Sequence, residues 1–156
     1  MLNDHYEVDI SKNFQAYKFI SVGTKGKIIK VVRFMEINLK GFYNLGFGDQ
    51  DPVTGFINDL NVTNNGDSRK VLLTVAATLY IFTEKNPEAI VFATGSTAAR
   101  TRLYRMGIAN NLEEIEKDFI VMGATETEWE PFRKDTAYGA FLVHRKNVDL
   151  HINFQL

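Results

Sequence analysis

The sequence predicts an α+β protein in which a mixed, mostly antiparallel sheet carries two main helices. Three observations predict this class. Apolar and polar residues alternate in the amino-terminal third, apolar residues recur at helical spacing over 68–84, and a short apolar run at 90–93 leads directly into a second helical segment. No linker separates these segments, so we expect residues 1–156 to form a single domain in the order β-β-β-α-β-α-β-β.

The amino-terminal third predicts three strands. Residues 6–10 alternate as in a half-buried strand, and a polar glycine-containing turn separates the apolar arms 17–22 and 28–37, which is typical of a β-hairpin. The second arm has both alternation and an apolar stretch, so we expect it to be central in the sheet. The next strand, 42–49, contains glycines that indicate a bulge or a close backbone approach.

The first helix is predicted over 68–84. Asp67 or Ser68 is expected to cap its first turn, and Pro87 is expected to end it because the residue before a proline disfavours helix. Its apolar face is predicted to be Val71, Val75, Leu79 and Phe82, widened by Leu72 and Ala76.

The second helix follows the apolar run 90–93, which predicts a buried strand. Gly95 makes the turn, and the hydroxyl of Ser96 or Thr97 is expected to cap the helix. Gly107 is typical of a helix end. The apolar face of this helix is predicted to be Ala99, Leu103 and Met106.

The carboxyl-terminal third predicts a short acidic helix and further strands. Asn110 or Asn111 is expected to cap the helix at 112–117, and strands are predicted at 119–123 and 136–145. Strict alternation over 148–156 predicts a last strand with one buried face. Such a strand could pair with a second copy, so a homodimer through this edge is expected.

Composition excludes several classes of function. The chain of 156 residues has a net charge of −1, no cysteine and three separated histidines, which disfavours nucleic-acid binding, disulfides and metal sites. No segment has the length and apolarity of a membrane span or a signal peptide, so a cytoplasmic location is expected. Glycine-rich phosphate loops and the G-x-S-x-G nucleophile pattern are also missing.

The best candidate site is the start of the second helix. A strand that leads into a helix N-terminus bearing arginines is typical of an anion site, because the first-turn N–H groups have no intrahelical partner. The alternative is that the hydroxyl only caps the helix and the arginines pair with Glu113 or Glu114. The candidate ligand-binding residues are Gly95, Ser96, Thr97, Arg100, Arg102 and Tyr104.

Two stretches resemble a family of small uncharacterised bacterial proteins that is common in Bacteroidetes. They are 62–75, with VTNNGD before VLLTV, and 95–104, with a GSTxARTRLY signature. Together with YNLGFGD at 43–49, the resemblance covers most of residues 17–145. It implies no named activity.

The layout is also similar to that of GNAT N-acetyltransferases. The LYRMGI segment at 103–108 resembles the end of the helix that carries a tyrosine near the thiol of coenzyme A, which would make Tyr104 a general acid and acetyl-CoA the cofactor. The pyrophosphate loop of that family, aligned on Gly66, keeps only this middle glycine, with Thr63 and Ser68 at the outer positions. Asp67 places a carboxylate where the phosphates would lie.

Three functions therefore remain open. The first is a GNAT-like domain that binds an anionic ligand or a partner without catalysis or a cofactor, and the second is an acyl-CoA-dependent N-acyltransferase. The third is a nucleic-acid or toxin–antitoxin or phage-related interaction module. The third rests on a modest basic cluster of the hairpin, formed by Lys25, Lys27, Lys30 and Arg33, which solvated surface lysines would explain equally well.

Overall fold

A computed structural model describes residues 4–58, 63–95 and 97–148. The α+β class is confirmed: the sheet is mixed but mostly antiparallel, and three helices pack on it. The strands are β1 Asp9–Ile10, β2 Ala16–Gly23, β3 Gly26–Glu36, β4 Phe42–Gln50, β5 Ile57–Asn58, β6 Ile90–Ala93, β7 Phe119–Ala124, β8 Trp129–Pro131 and β9 Ala140–Arg145. The helices are α1 Ser68–Lys85, α2 Ala98–Asn110 and α3 Leu112–Asp118.

The strand order is β1-β2-β3-β4-β6-β9-β7-β8, with β5 paired to the end of β4. The expected hairpin is β2 and β3, and β3 is central, as its apolar pattern predicted. The pair β4 and β6 is parallel, and its register runs only from Phe42 opposite Ile90 to Asn44 opposite Phe92. Beyond this point, β4 continues towards Gln50 while β6 ends at Ala93 and the chain turns into α2.

The main core lies between the helices and one face of the sheet. The predicted face of α1 is confirmed, since Val71, Val75, Leu79 and Phe82 are all buried. The ring of Phe82 stacks on Phe34 of β3 at 4.3 Å between centroids and meets the edge of Tyr43 of β4. These ring contacts fix α1 across β3 and β4.

The opposite face of the sheet holds a smaller apolar cluster. Phe42, Ile90 and Leu142 are buried there, with Phe92 and Met122 packed against them. These residues alternate along their strands with the residues that face the helices, as the period of two of a strand requires.

Several predicted boundaries are wrong. The strand predicted at 136–145 begins only at Ala140, because the ring of Tyr138 packs over Gly123 and its hydroxyl contacts Glu130. The strand predicted over 6–10 is reduced to Asp9–Ile10, and the short β8 was not predicted.

Gly107 does not end α2, which continues to Asn110. A Cβ at Gly107 would lie 3.2 Å from the Leu72 side chain, so this glycine permits close packing of α2 on α1. The predicted strand at 148–156 and its dimer edge lie outside the described residues from 149 onward. No helix in the described ranges is long and apolar enough to cross a membrane.

Candidate functional site

The turn between β6 and α2 is built by Gly95 and Thr97. A Cβ at Gly95 would lie 2.3 Å from the backbone nitrogen of Thr101, so only glycine fits against the first turn of the helix. Thr97 is the N-cap: its backbone is extended and its Oγ1 accepts the N–H of Arg100 at 3.2 Å. The predicted hydroxyl cap is therefore confirmed for Thr97, and Ser96 lies outside the described residues.

The segment before α1 is fixed by Asn65, a buried side chain that the sequence did not single out. Its amide nitrogen donates to the carbonyl of Gly26 at 2.9 Å and to the Ser21 hydroxyl at 3.1 Å, and its oxygen accepts the N–H of Lys25 at 2.6 Å. Asn65 thereby ties the start of α1 to the tip of the β2–β3 hairpin.

A buried ion pair lies beside this segment. Lys30 of β3 is 1% exposed, and its Nζ contacts Asp49 Oδ1 of β4 at 2.5 Å and the carbonyl of Thr63 at 3.1 Å. The second carboxylate oxygen of Asp49 accepts the N–H of Thr63 at 3.2 Å. The charge of Lys30 is therefore balanced within the protein, and the pair holds the approach to α1 against the sheet.

These elements enclose a cavity of about 370 Å³ between the N-terminal ends of α1 and α2. Its volume lies within the usual range of small-molecule sites, roughly 300–1,000 Å³. The first turn of each helix contributes N–H groups without intrahelical partners at this end. The lining residues are Lys30, Thr63, Asn64, Asn65, Asp67, Ser68, Val71, Thr97, Ala99, Arg100, Leu103 and Met106.

Arg100 is the cation of this cavity that has no counter-ion. The residue is 3% exposed, and none of its three guanidinium nitrogens has a hydrogen-bond partner. No ion pair in the described part of the chain includes Arg100, so the alternative pairing with Glu113 or Glu114 is wrong for this arginine. The guanidinium carbon lies 5.8 Å from the centroid of the Phe47 ring, which is within reach of a cation–π contact.

The carboxylate of Asp67 is held by two hydroxyls. Oδ2 accepts hydrogen bonds from Tyr6 and from Ser21, each at 2.6 Å. Burial and the hydrogen bond to Asp67 raise the pKa of Tyr6 above its ordinary value, so the phenol stays protonated as a donor. Asp67 occupies the N-cap position of α1 without capping it, because its side chain is committed to these hydroxyls.

The apolar face of α2 lines the cavity, and of its three residues Leu103 alone packs against the main core. Ala99, Leu103 and Met106 were predicted to be buried, but Ala99 is exposed, Leu103 is half-buried and Met106 is 42% exposed. The buried side chains of α2 are instead Arg100 and Tyr104. The helix therefore presents an apolar wall to an open space and a charged residue to the interior.

The other predicted site residues divide between two places. Arg102 is exposed and does not line the cavity. Tyr104 is buried one turn beyond Arg100 and lines a separate cavity of about 70 Å³ under the crossing of α1 and α2, together with apolar residues such as Leu45 and Val91. The structure thus brings Gly95, Thr97 and Arg100 together and leaves Arg102 outside.

The basic cluster predicted on the hairpin is not one surface. Lys30 points towards the helices and is buried, whereas Lys27 and Arg33 belong to the opposite register of β3 and are exposed. The interpretation of this cluster as solvated surface lysines is therefore wrong for Lys30. Within the described ranges, no three histidine, aspartate or glutamate side chains lie close enough to hold a metal ion.

A family of unknown function (DUF6934) matches residues 2–146, which is nearly the whole chain. The chain belongs to this family. No curated protein and no solved structure shows a significant match to it. Family membership agrees with the expectation of an uncharacterised family and brings no activity with it.

The residues of this DUF6934 chain that sequence reasoning missed are those contributed from outside α2. Asn65 and Asp67 lie in the turn before α1, which was predicted as a turn and a helix cap and compared with the GNAT pyrophosphate loop, but not as part of this cavity. Lys30 was assigned to the surface. A lysine in the middle of an apolar strand was the available signal, because an interior-facing lysine needs an acidic partner.

Proposed function

We propose that this protein is a binding protein for a small anion, which it holds in the cavity between the N-terminal ends of α1 and α2. The single observation that carries this proposal is the buried Arg100 guanidinium with no hydrogen-bond partner. An arginine removed from water is costly unless it is paired, and buried charges in proteins are almost always paired. An anion that reaches the guanidinium from the cavity would supply the missing partner.

The neighbours of Arg100 favour the same ligand charge. The guanidinium offers a planar fork of donors that matches a carboxylate or a phosphate in two hydrogen bonds. The first turn of α2, which begins at Thr97, adds N–H groups and the positive end of its dipole, worth roughly 0.3–1 kcal/mol for an anion. The Phe47 ring lies beside the guanidinium.

Thermal and urea unfolding of Arg100→Met and Arg102→Met test the proposal. Without ligand, Arg100→Met should be more stable than the natural chain, by about 1–4 kcal/mol, because an uncompensated buried charge is replaced by an apolar side chain. Acetate, phosphate and sulfate are then added separately. At least one should stabilise the natural chain, by about 2.7 kcal/mol at a hundred times its dissociation constant, and should not stabilise Arg100→Met.

Arg102→Met is the matched control, since it removes an exposed arginine of the same helix. It should leave both the stability and the anion effect unchanged. A natural chain that no anion stabilises, or an equal loss of the effect in both variants, would overturn the proposal.

A second candidate is an acyl-CoA-dependent N-acyltransferase of the GNAT-like kind. Its support is that the parallel register of β4 and β6 ends at Asn44 and Phe92, after which β6 turns into α2 while β4 continues to Gln50. Acetyl-CoA added to the same unfolding experiment distinguishes the two candidates. If the protein is an acyltransferase, acetyl-CoA should stabilise the chain far more than any simple anion. The Tyr104→Phe variant should then have a lower turnover, while acetyl-CoA should stabilise it as much as it stabilises the natural chain.

A further inference from the structure

The cavity around Arg100 has an apolar side as well as a charged one. Leu103 and Met106 continue along α2 from Arg100, and Val71 of α1 faces the same space. Arg100 and Met106 are six residues apart, so the wall extends roughly 9 Å along the helix at about 1.5 Å per residue. A ligand that contacts Arg100 through its charged group would lay the rest of its body on these side chains.

The charges around the cavity favour one negative charge on the ligand. Lys30 is balanced by Asp49, and Arg100 is the described lining cation that has no counter-ion. Asp67 also lines the cavity, and its hydroxyl partners leave its negative charge in place. A second or third charge on a ligand would find no further free cation and would face this carboxylate.

We propose that the ligand is a monocarboxylate with an apolar chain, bound with its carboxylate on Arg100 and its chain along Val71, Leu103 and Met106. This inference rests on the proposed anion-binding function of the same cavity and names its ligand class. Two observations support this ligand independently. The single cation without a partner among the described lining residues favours a ligand with one negative charge, and the apolar side chains of α2 that line the cavity favour a ligand with an apolar chain. Phosphate and sulfate fit the single charge less well, and they have no apolar chain.

The experiment is a titration of the full chain with acetate, butyrate, hexanoate and octanoate, followed by amide chemical shifts in two-dimensional NMR. Octanamide and phosphate are titrated in parallel, the first as an uncharged match to octanoate and the second as a compact multivalent anion. Shifts should centre on residues 97–106. The dissociation constant should fall along the series, by roughly threefold to fourfold for each methylene that becomes buried.

Two variants separate the charged end from the apolar wall. Arg100→Met should weaken acetate and octanoate alike, by tenfold or more. Met106→Ser, at a side chain that is already 42% exposed, should weaken octanoate at least threefold and leave acetate unchanged. Arg102→Met should change neither constant.

Other outcomes would contradict either the ligand class or the anion-binding function. The ligand class is wrong if phosphate binds as tightly as octanoate at the same amides, or if the affinity does not change along the series. The anion-binding function would still stand in both cases. Octanamide that binds as tightly as octanoate also overturns the ligand class, because the charge would then be irrelevant. If no anion shifts residues 97–106, the proposed function and the inference fail together.

Discussion

The backbone at Gly95 decides where Arg100 points. The turn from β6 into α2 brings Gly95 against Thr101, so close that a Cβ would lie 2.3 Å from the Thr101 nitrogen. The Thr97 hydroxyl then caps the helix on the Arg100 N–H, which fixes the first turn. Arg100 is buried as a consequence of this local geometry, in spite of the cost of burying its charge.

Gly95→Ala is therefore expected to destabilise the fold, by about 1–3 kcal/mol or more, because the added methyl meets backbone that cannot move without shifting α2. The matched control is Gly46→Ala in β4, where a Cβ would have no atom within 4 Å. That change should be neutral or stabilise by roughly 0.4–1 kcal/mol through the unfolded chain. Urea unfolding measures both, and equal effects of the two substitutions would contradict this account of Gly95.

At the residue scale, the sequence predicted what depends on neighbours along the chain. The Thr97 cap follows from a hydroxyl at the start of a helical pattern, and it is confirmed. The isolation of Arg100 was not predictable, because it depends on which side chains of other elements surround the guanidinium, such as the Phe47 ring of β4. Sequence spacing does not record whether a partner from another element comes close enough to pair.

At the scale of elements, the periodicity of apolar residues identified the apolar face of each helix correctly. It did not always identify what that face contacts. The stripe on α1 was assigned to the core and lies there. The stripe on α2 has the same kind of spacing, yet it lines the cavity. The difference is that the α1 stripe packs on β3 and β4, whereas Ala99 and Met106 of α2 remain exposed and Leu103 is only half-buried.

The ion pair Lys30–Asp49 connects β3, β4 and the segment before α1, since both side chains also bind the backbone of Thr63. Lys30→Met should destabilise the fold by roughly 2–4 kcal/mol. This is somewhat less than the loss expected when a fully buried ion pair is broken, because the Asp49 side chain is 15% exposed. The double variant with Asp49→Leu should recover part of this loss. A double-mutant cycle in urea should therefore give a coupling energy above about 1 kcal/mol.

The exposed pair Glu114–Lys117 of α3 is the control for this cycle. Its side chains are 33% and 62% exposed, so its coupling energy should lie at or below about 0.5 kcal/mol. Additive effects at Lys30 and Asp49, as small as those at the control pair, would show that the ion pair does not hold the approach to α1.

On the scale of the whole molecule, the cavity lies between the two main helices, and Lys30 of β3 is its lining residue from the sheet. The parallel strands β4 and β6 are neighbours in the middle of the sheet, and β6 leads through a short turn into α2, whose first turn borders the cavity. The sequence predicted the helices and the longer strands in their order, because each has a local pattern, but not the short strands β5 and β8. It could not predict that β9 lies between β6 and β7, because pairing between distant strands leaves no periodic signal in either of them.

Alkaline pH tests whether the two halves of this sheet unfold together. Burial raises the pKa of Tyr17 in β2 and of Tyr80 in α1 to about 12, against 10.0 ordinarily. In the unfolded chain these phenols lose their protons near pH 10, so their contribution to stability is complete below pH 10 and is lost as the pH rises towards 12. The urea midpoint should therefore fall steadily across this range.

Tyr17 donates to the carbonyl of Phe14, whereas Tyr80 donates to that of Glu114, so the two hydroxyls report on opposite sides of the fold. Tyrosinate absorbance of Tyr17→Phe and Tyr80→Phe, compared with the natural chain, assigns the ionisation of each. Both phenols should ionise in the same transition that removes the helical circular dichroism, and each variant should show a shallower fall of stability above pH 10. Ionisation of Tyr17 near its ordinary pKa with the helices intact would mean that β2 detaches on its own.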